Sequence, residues 1–81
     1  MAKTFNRLRF GAAVRAHRET AGLSQAEASD ASGVGQSQFT PIERGHVTPT
    51  LDSVGKLCDW MGRDMADFWD EVPDVLPVLI D

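Results

Sequence analysis

Eighty-one residues with a net charge of −4 describe one small domain, able to bury about 60% of its unfolded surface and predicted to hold no separate ligand or protease domain. An apolar content of 42% argues against wholesale disorder, and no apolar run approaches the roughly 18 residues of a membrane span. No signal-peptide core precedes the domain and the single cysteine, Cys58, reads as a small core residue, so a cytoplasmic, reducing environment is predicted.

Five helical segments follow from the pattern, with no strand before residue 72, so the predicted fold class is all-α. The first begins at about Thr4 or Arg9 and stops at Gly22, with Phe10, Val14, His17 and Ala21 drawing one inward stripe. The second spans about Gln25 to Ser32, opened by Ser24 as N-cap with Glu27 as its capping-box partner. After Gly33 the third runs from Gln36 to about Arg44, with Val34, Phe39 and Ile42 inward. A loop from Gly45 to Pro49 leads to Thr50, the N-cap of a fourth helix carrying Leu51, Val54, Leu57, Cys58 and Met61 and ending at Gly62. Asp64 caps a fifth, in which Met65, Phe68, Trp69 and Val72 share a face; Pro73 and Pro77 break any helix beyond. The domain division is residues 1–9 as a basic extension or the start of helix one, 10–70 as the helical domain, and 71–81 as an extended apolar tail.

Charge is polarised along the chain: residues 1–25 sum to +4, residues 26–51 to −2 and residues 52–81 to −6. A positive end can face phosphate while an acidic end points away. Between them, a short helix, a glycine turn and a second helix rich in amides and hydroxyls make a device for reading base edges. One residue disturbs it: Pro41 falls inside the third helix, where proline loses a backbone bond and crowds the preceding turn, which suggests two turns with a kink between them. His17 and His46 lie 29 residues apart without Cys or His companions, so no metal is expected. No nucleophile–base set, phosphate-cradling glycine loop or convergent carboxylate pair is present, so neither an enzyme nor a cofactor is predicted.

Phe10-Gly11, Val14-Arg15, Arg18 and Gly22-Leu23-Ser24-Gln25, followed by Gly33-Val34, Ile42-Glu43-Arg44-Gly45, Pro49 and Leu51, resemble the Cro/cI-type (Xre-like) helix-turn-helix domains over residues 10–69. The resemblance implies a five-helix, lambda-repressor-like domain that dimerises on a palindromic operator. It makes Gln25 the opening residue of the positioning helix, holding phosphate. Gln36, Ser37 and Thr40 become the major-groove residues, with Gln38 set more sideways. Arg15, with Arg7, is assigned to phosphate, and Arg44 joins the DNA-binding set. Arg18 and Glu43 match a buried pair that sets the angle of the third helix. The chain departs from the family at Ala28 and Ser32, where Leu is usual, and at Ser29 for Ala. Phe39, Trp60 and Phe68 are expected to fill the resulting space. Gly35 replaces the usual Ser or Thr at the third helix's N-cap.

The leading functional reading is a small phage- or plasmid-type repressor that binds double-stranded DNA as a homodimer. The competing reading is a protein-interaction module, such as an antitoxin or anti-repressor, whose acidic C-terminal half engages a protein partner. Val75, Leu76, Val78, Leu79 and Ile80 are the predicted dimerisation segment; the alternative is that they cover helices one and five.

Overall fold

The computed structural model describes residues 2–72. In chain order it contains strand β1 (Ala2–Phe5), helices α1 (Arg7–Thr20), α2 (Gln25–Ser32), α3 (Gln36–Glu43) and α4 (Leu51–Met61), a 3-10 turn (Met65–Phe68) and strand β2 (Trp69–Val72). The tail residues Val75, Leu76, Val78, Leu79 and Ile80 lie outside the described residues.

There are four α-helices among the described residues, and the predicted fifth is a single 3-10 turn capped by Asp64, whose carboxylate accepts from Ala66 N at 2.9 Å. The all-α expectation gives way to helices plus a two-stranded antiparallel ribbon, in which Ala2 pairs with Val72 and Phe5 with Trp69. The physical reason is twofold. Pro73 disfavours helical geometry at the residue before it, and β1 supplies the backbone partners that an extended 69–72 segment needs. Thr4 accordingly lies in a strand, and the first helix starts later, with Asn6 as its N-cap accepting from Arg9 N at 2.9 Å.

The ribbon is joined to the helices by aromatic packing. Phe5 meets Trp69 at 5.4 Å and Phe10 at 5.2 Å between ring centroids, and Phe10 meets Phe68 at 5.0 Å, all edge to face. Each such pair adds about 0.5–1.5 kcal/mol beyond its buried area. Arg9 closes the seam from outside, donating to Asp70 at 2.8 Å and to the Asp67 carbonyl at 2.7 Å, while Asn6 donates to Asp70 at 2.9 Å. These two donors, Arg9 first, hold the Asp70 carboxyl below the usual carboxylate range.

Phe10, Val14, Ala28, Val34, Phe39, Ile42, Val54, Leu57, Cys58 and Phe68 form the core. The α1 stripe is shorter than expected: Phe10 and Val14 are buried, but His17 is half-buried against Trp60, ring centroids 4.6 Å apart, and Ala21 is exposed. Leu51 is 69% exposed rather than inward. The small inner face of α2 buries Ser29 and Ser32, whose hydroxyls donate to the carbonyls of Val34 and Ser29. Of the aromatics expected beside it, Phe39 and Trp60 meet edge to face at 6.2 Å, while Phe68 packs edge to face on Phe10. Burial pushes the Cys58 thiol up, keeping it protonated.

Candidate nucleic-acid interface

The α2–turn–α3 unit is built from local bonds. Ser24 Oγ accepts from Glu27 N at 3.1 Å and Glu27 Oε1 accepts from Ser24 N at 2.8 Å, a closed capping box. The Ser24 backbone N–H and hydroxyl hold the Glu27 carboxyl below its ordinary range. Gly33, at φ +80°, ends α2 in the left-handed region that only glycine adopts without strain. Buried Val34 anchors the turn and Gly35 starts α3, which continues through Pro41 to Glu43. There Gly45 N donates to the Ile42 carbonyl at 3.0 Å and His46 N to the Pro41 carbonyl at 3.1 Å, so a Schellman motif closes the helix.

A partly buried polar network joins α3 to α1 and α2. Arg18 on α1 donates through Nε to Glu43 Oε2 at 2.5 Å, through Nη2 to Glu43 Oε1 at 3.2 Å and through Nη1 to the Leu23 carbonyl at 3.0 Å. The bond to Glu43 raises the Arg18 pKa above its already high ordinary value, so the guanidinium stays charged. Gln25 Nε2 donates to Glu43 Oε1 at 2.9 Å, and Gln25 Oε1 accepts from Thr40 Oγ1 at 2.9 Å. One fork thus ties α1, α2 and α3 together. Gly11 contributes by what it lacks: a Cβ there would stand 2.7 Å from the Glu43 carbonyl oxygen and hard against that of Ile42.

These contacts define which face of α3 is free. Phe39, Ile42 and Glu43 point inward. At about 100° per residue, the opposite stripe carries Ser37, Pro41 and Arg44, flanked by Gln36 and Thr40 on one side and Gln38 on the other. Gln36, Ser37, Gln38 and Arg44 are exposed, whereas Thr40 and Gln25 are half-buried and bonded to each other. The Gln25 side chain therefore faces Glu43 and Thr40 with both ends of its amide engaged. Gln38 Oε1 accepts from Ser53 Oγ at 3.3 Å and so leans on α4.

Charge is redistributed in the same way. Arg15 pairs with Glu19 at 3.1 Å one turn away, Arg9 with Asp70, Lys56 with Asp52 and Arg63 with Asp67. Among the described residues Arg7 and Arg44 have no ion-pair partner. Arg7 Nε donates to the Gly45 carbonyl at 2.9 Å, which brings it beside Arg44 at the C-terminal end of α3. Arg15, expected in the binding set, is instead paired with Glu19 four residues on, a spacing that places both charges on one helix face. Gly11 belongs to the motif that carries the resemblance, but its role against α3 is not legible locally, because nothing in the sequence shows what lies against a glycine. Among the described residues no cluster of metal-ligating side chains occurs, and no helix is long and apolar enough to cross a membrane.

The model of the family described as a helix-turn-helix domain matches residues 9–68. The fold is similar to the restriction-modification controller protein C.AhdI from Aeromonas hydrophila, with TM-score 0.64 and 28% identity, covering 75% of this chain and 92% of that one. It is also similar to the clp gene regulator ClgR from C. glutamicum, with TM-score 0.62 and 28% identity, covering 79% and 83%. An HTH_3 family transcriptional regulator from Vibrio cholerae, 21% identical with TM-score 0.65, shares the fold over 75% of this chain and 34% of that one. No curated protein matches the sequence.

Proposed function

Because the chain belongs to the helix-turn-helix domain family and carries the fold of DNA-binding transcription regulators, we propose that it is a sequence-specific repressor of the small Cro type that reads the major groove with α3. The observation that carries this reading is the exposed face of α3. Among the described residues Gln36 and Ser37 have no internal hydrogen-bond partner for their side chains, on a helix whose inner side is held by Glu43, and Arg7 and Arg44 have no ion-pair partner at its far end. An amide can pair bidentately with adenine N6 and N7, and a hydroxyl can meet either kind of base edge. Gln25 and Thr40 serve such a surface by orienting it. Phosphate falls to Arg44, Arg7 and the backbone N–H groups at the start of α2, with Arg15 held back by Glu19.

Selection from a pool of random duplexes, with affinity followed against salt, tests the class. An enriched palindromic site with a steep salt dependence is expected; a pool without enrichment points to the protein-partner reading through the acidic half. On the enriched site, Gln36→Ala is expected to cost about 1–3 kcal/mol and to relax preference at one base position per half-site. Arg44→Ala is expected to weaken specific and random DNA alike and to flatten the salt slope by about 0.9. Identical behaviour of the two variants on both kinds of DNA excludes direct readout by Gln36.

A palindrome calls for a two-fold partner whose recognition helix sits about 34 Å away. We assign that contact to Val75, Leu76, Val78, Leu79 and Ile80, a strongly apolar segment interrupted by Pro77 and preceded by Pro73. Removal of residues 74–81 is expected to leave a folded protein that sediments as a monomer and binds its operator without cooperativity. A truncated protein that unfolds, or that stays dimeric, places the dimer contact elsewhere.

A further inference from the structure

Pro41 is the residue least suited to a helix interior, yet it stands at the sixth of eight positions of α3. Packing does not explain it, because it lies on the stripe opposite Phe39 and Ile42 and is only half-buried. Its ring instead lines a shallow cleft between α3 and the loop leading to α4. Val47, 42% exposed, and Pro49 share the apolar part of that cleft, and Ser37, Gln38 and Thr48 bring hydroxyl and amide groups to it. Ser37 lies one turn before Pro41 on the same stripe and Arg44 follows it, so the apolar ring sits in the middle of the exposed reading face.

An apolar spot bordered by hydrogen-bond donors has one natural complement on a base edge in the major groove. Thymine presents a 5-methyl group beside the O4 acceptor; cytosine presents a bare C5 and an amino donor, and the purines carry no methyl. We infer that Pro41, backed by Val47, receives the 5-methyl group of a thymine and is a specificity-determining residue of this protein. The inference rests on the DNA-reading function proposed above and adds to it the base that this part of α3 selects. It also accounts for the proline: a rigid ring, with no N–H to satisfy and no rotatable side chain to order, presents a fixed apolar surface to a single methyl.

Uracil in place of thymine removes that methyl and nothing else. On the site enriched from the random pool, each thymine is replaced singly by deoxyuridine and the affinities of the parent, Pro41→Ala and Val47→Ser are compared. At one thymine per half-site the parent is expected to lose about fourfold, the worth of one buried methyl group. Pro41→Ala, which offers only a shorter methyl, is expected to show a smaller loss on uracil at that position while responding unchanged at any other methyl-sensitive one, and Val47→Ser to show a reduced response at the same thymine. Thermal unfolding separates this from damage to the fold, since alanine restores the backbone bond to the Ser37 carbonyl and the midpoint is expected to rise. An enriched site at which uracil costs the parent nothing, or costs parent and both variants the same at every position, overturns the assignment of Pro41. A pool that yields no enriched site removes the DNA-reading function itself, and this inference with it.

Discussion

Replacing Arg18 by methionine is expected to destabilise the domain by about 3–5 kcal/mol, because it leaves a buried carboxylate without its counter-charge. The Glu43 side chain is 3% exposed, and Arg18 supplies two of the three side-chain donors that reach it. In a domain of this size each kcal/mol moves the thermal midpoint by about 4–8 °C, so the change is easily read by circular dichroism. Replacing both partners, Arg18→Met with Glu43→Leu, is expected to recover much of the stability, since no charge then remains to be desolvated. It is not expected to recover discrimination between operator and random DNA. The fork that orients α3 is gone, and Gln25 loses the acceptor for its Nε2. Arg18→Met within about 1 kcal/mol of the parent would show that the pair contributes no more than a surface ion pair. Full recovery of discrimination in the double variant would show that the pair does not orient the helix.

Gly11→Ala is the second large effect. The added Cβ meets backbone carbonyls, which cannot rotate aside as a side-chain end can, so α1 and α3 must separate. Overpacking of this kind costs about 1–3 kcal/mol, and the upper end is expected because the same separation stretches the Arg18–Glu43 fork. Gly55→Ala on α4 is the matched control. Apart from its own stretch of helix, no atom of the described residues lies within 4 Å of a Cβ placed there, and removing a glycine from a helix interior is expected to stabilise by about 1 kcal/mol. Urea denaturation of the two variants checks the contrast; a Gly11→Ala protein as stable as the parent would mean that the α1–α3 seam is loose.

Much of the helical framework is legible in short stretches of chain. Ser24 and Glu27 announce α2, Thr50 announces α4, and Gly22, Gly33, Gly45 and Gly62 all adopt positive φ at helix ends. Such signals work because a cap or a left-handed residue satisfies backbone groups within four residues of itself. The 3.6-residue period likewise identifies Phe10, Val14, Phe39, Ile42, Val54 and Leu57 as buried, since the face they share depends only on helix geometry.

The ends of the described chain could not be read in this way. β1 is four residues without a hydrophobic alternation, and β2 contains Asp70 and Glu71, poor strand formers. Neither is a strand except through the other, and their pairing joins residues at opposite ends of the sequence. The candidate site divides along the same line. The polarity of Gln36, Ser37, Gln38 and Thr40 is visible in the sequence, but the division of labour among them is a matter of neighbours. Thr40 and Gln25 are turned to each other and to Glu43, and Gln38 to Ser53, which leaves Gln36, Ser37, Pro41 and Arg44 to face outward. Local hydrogen bonding and helical period, determined over a few residues, are properties of the sequence itself. The choice of which amide or guanidinium is spent inside the fold rests on contacts between residues 15 to 64 positions apart, and those exist only once the helices have packed.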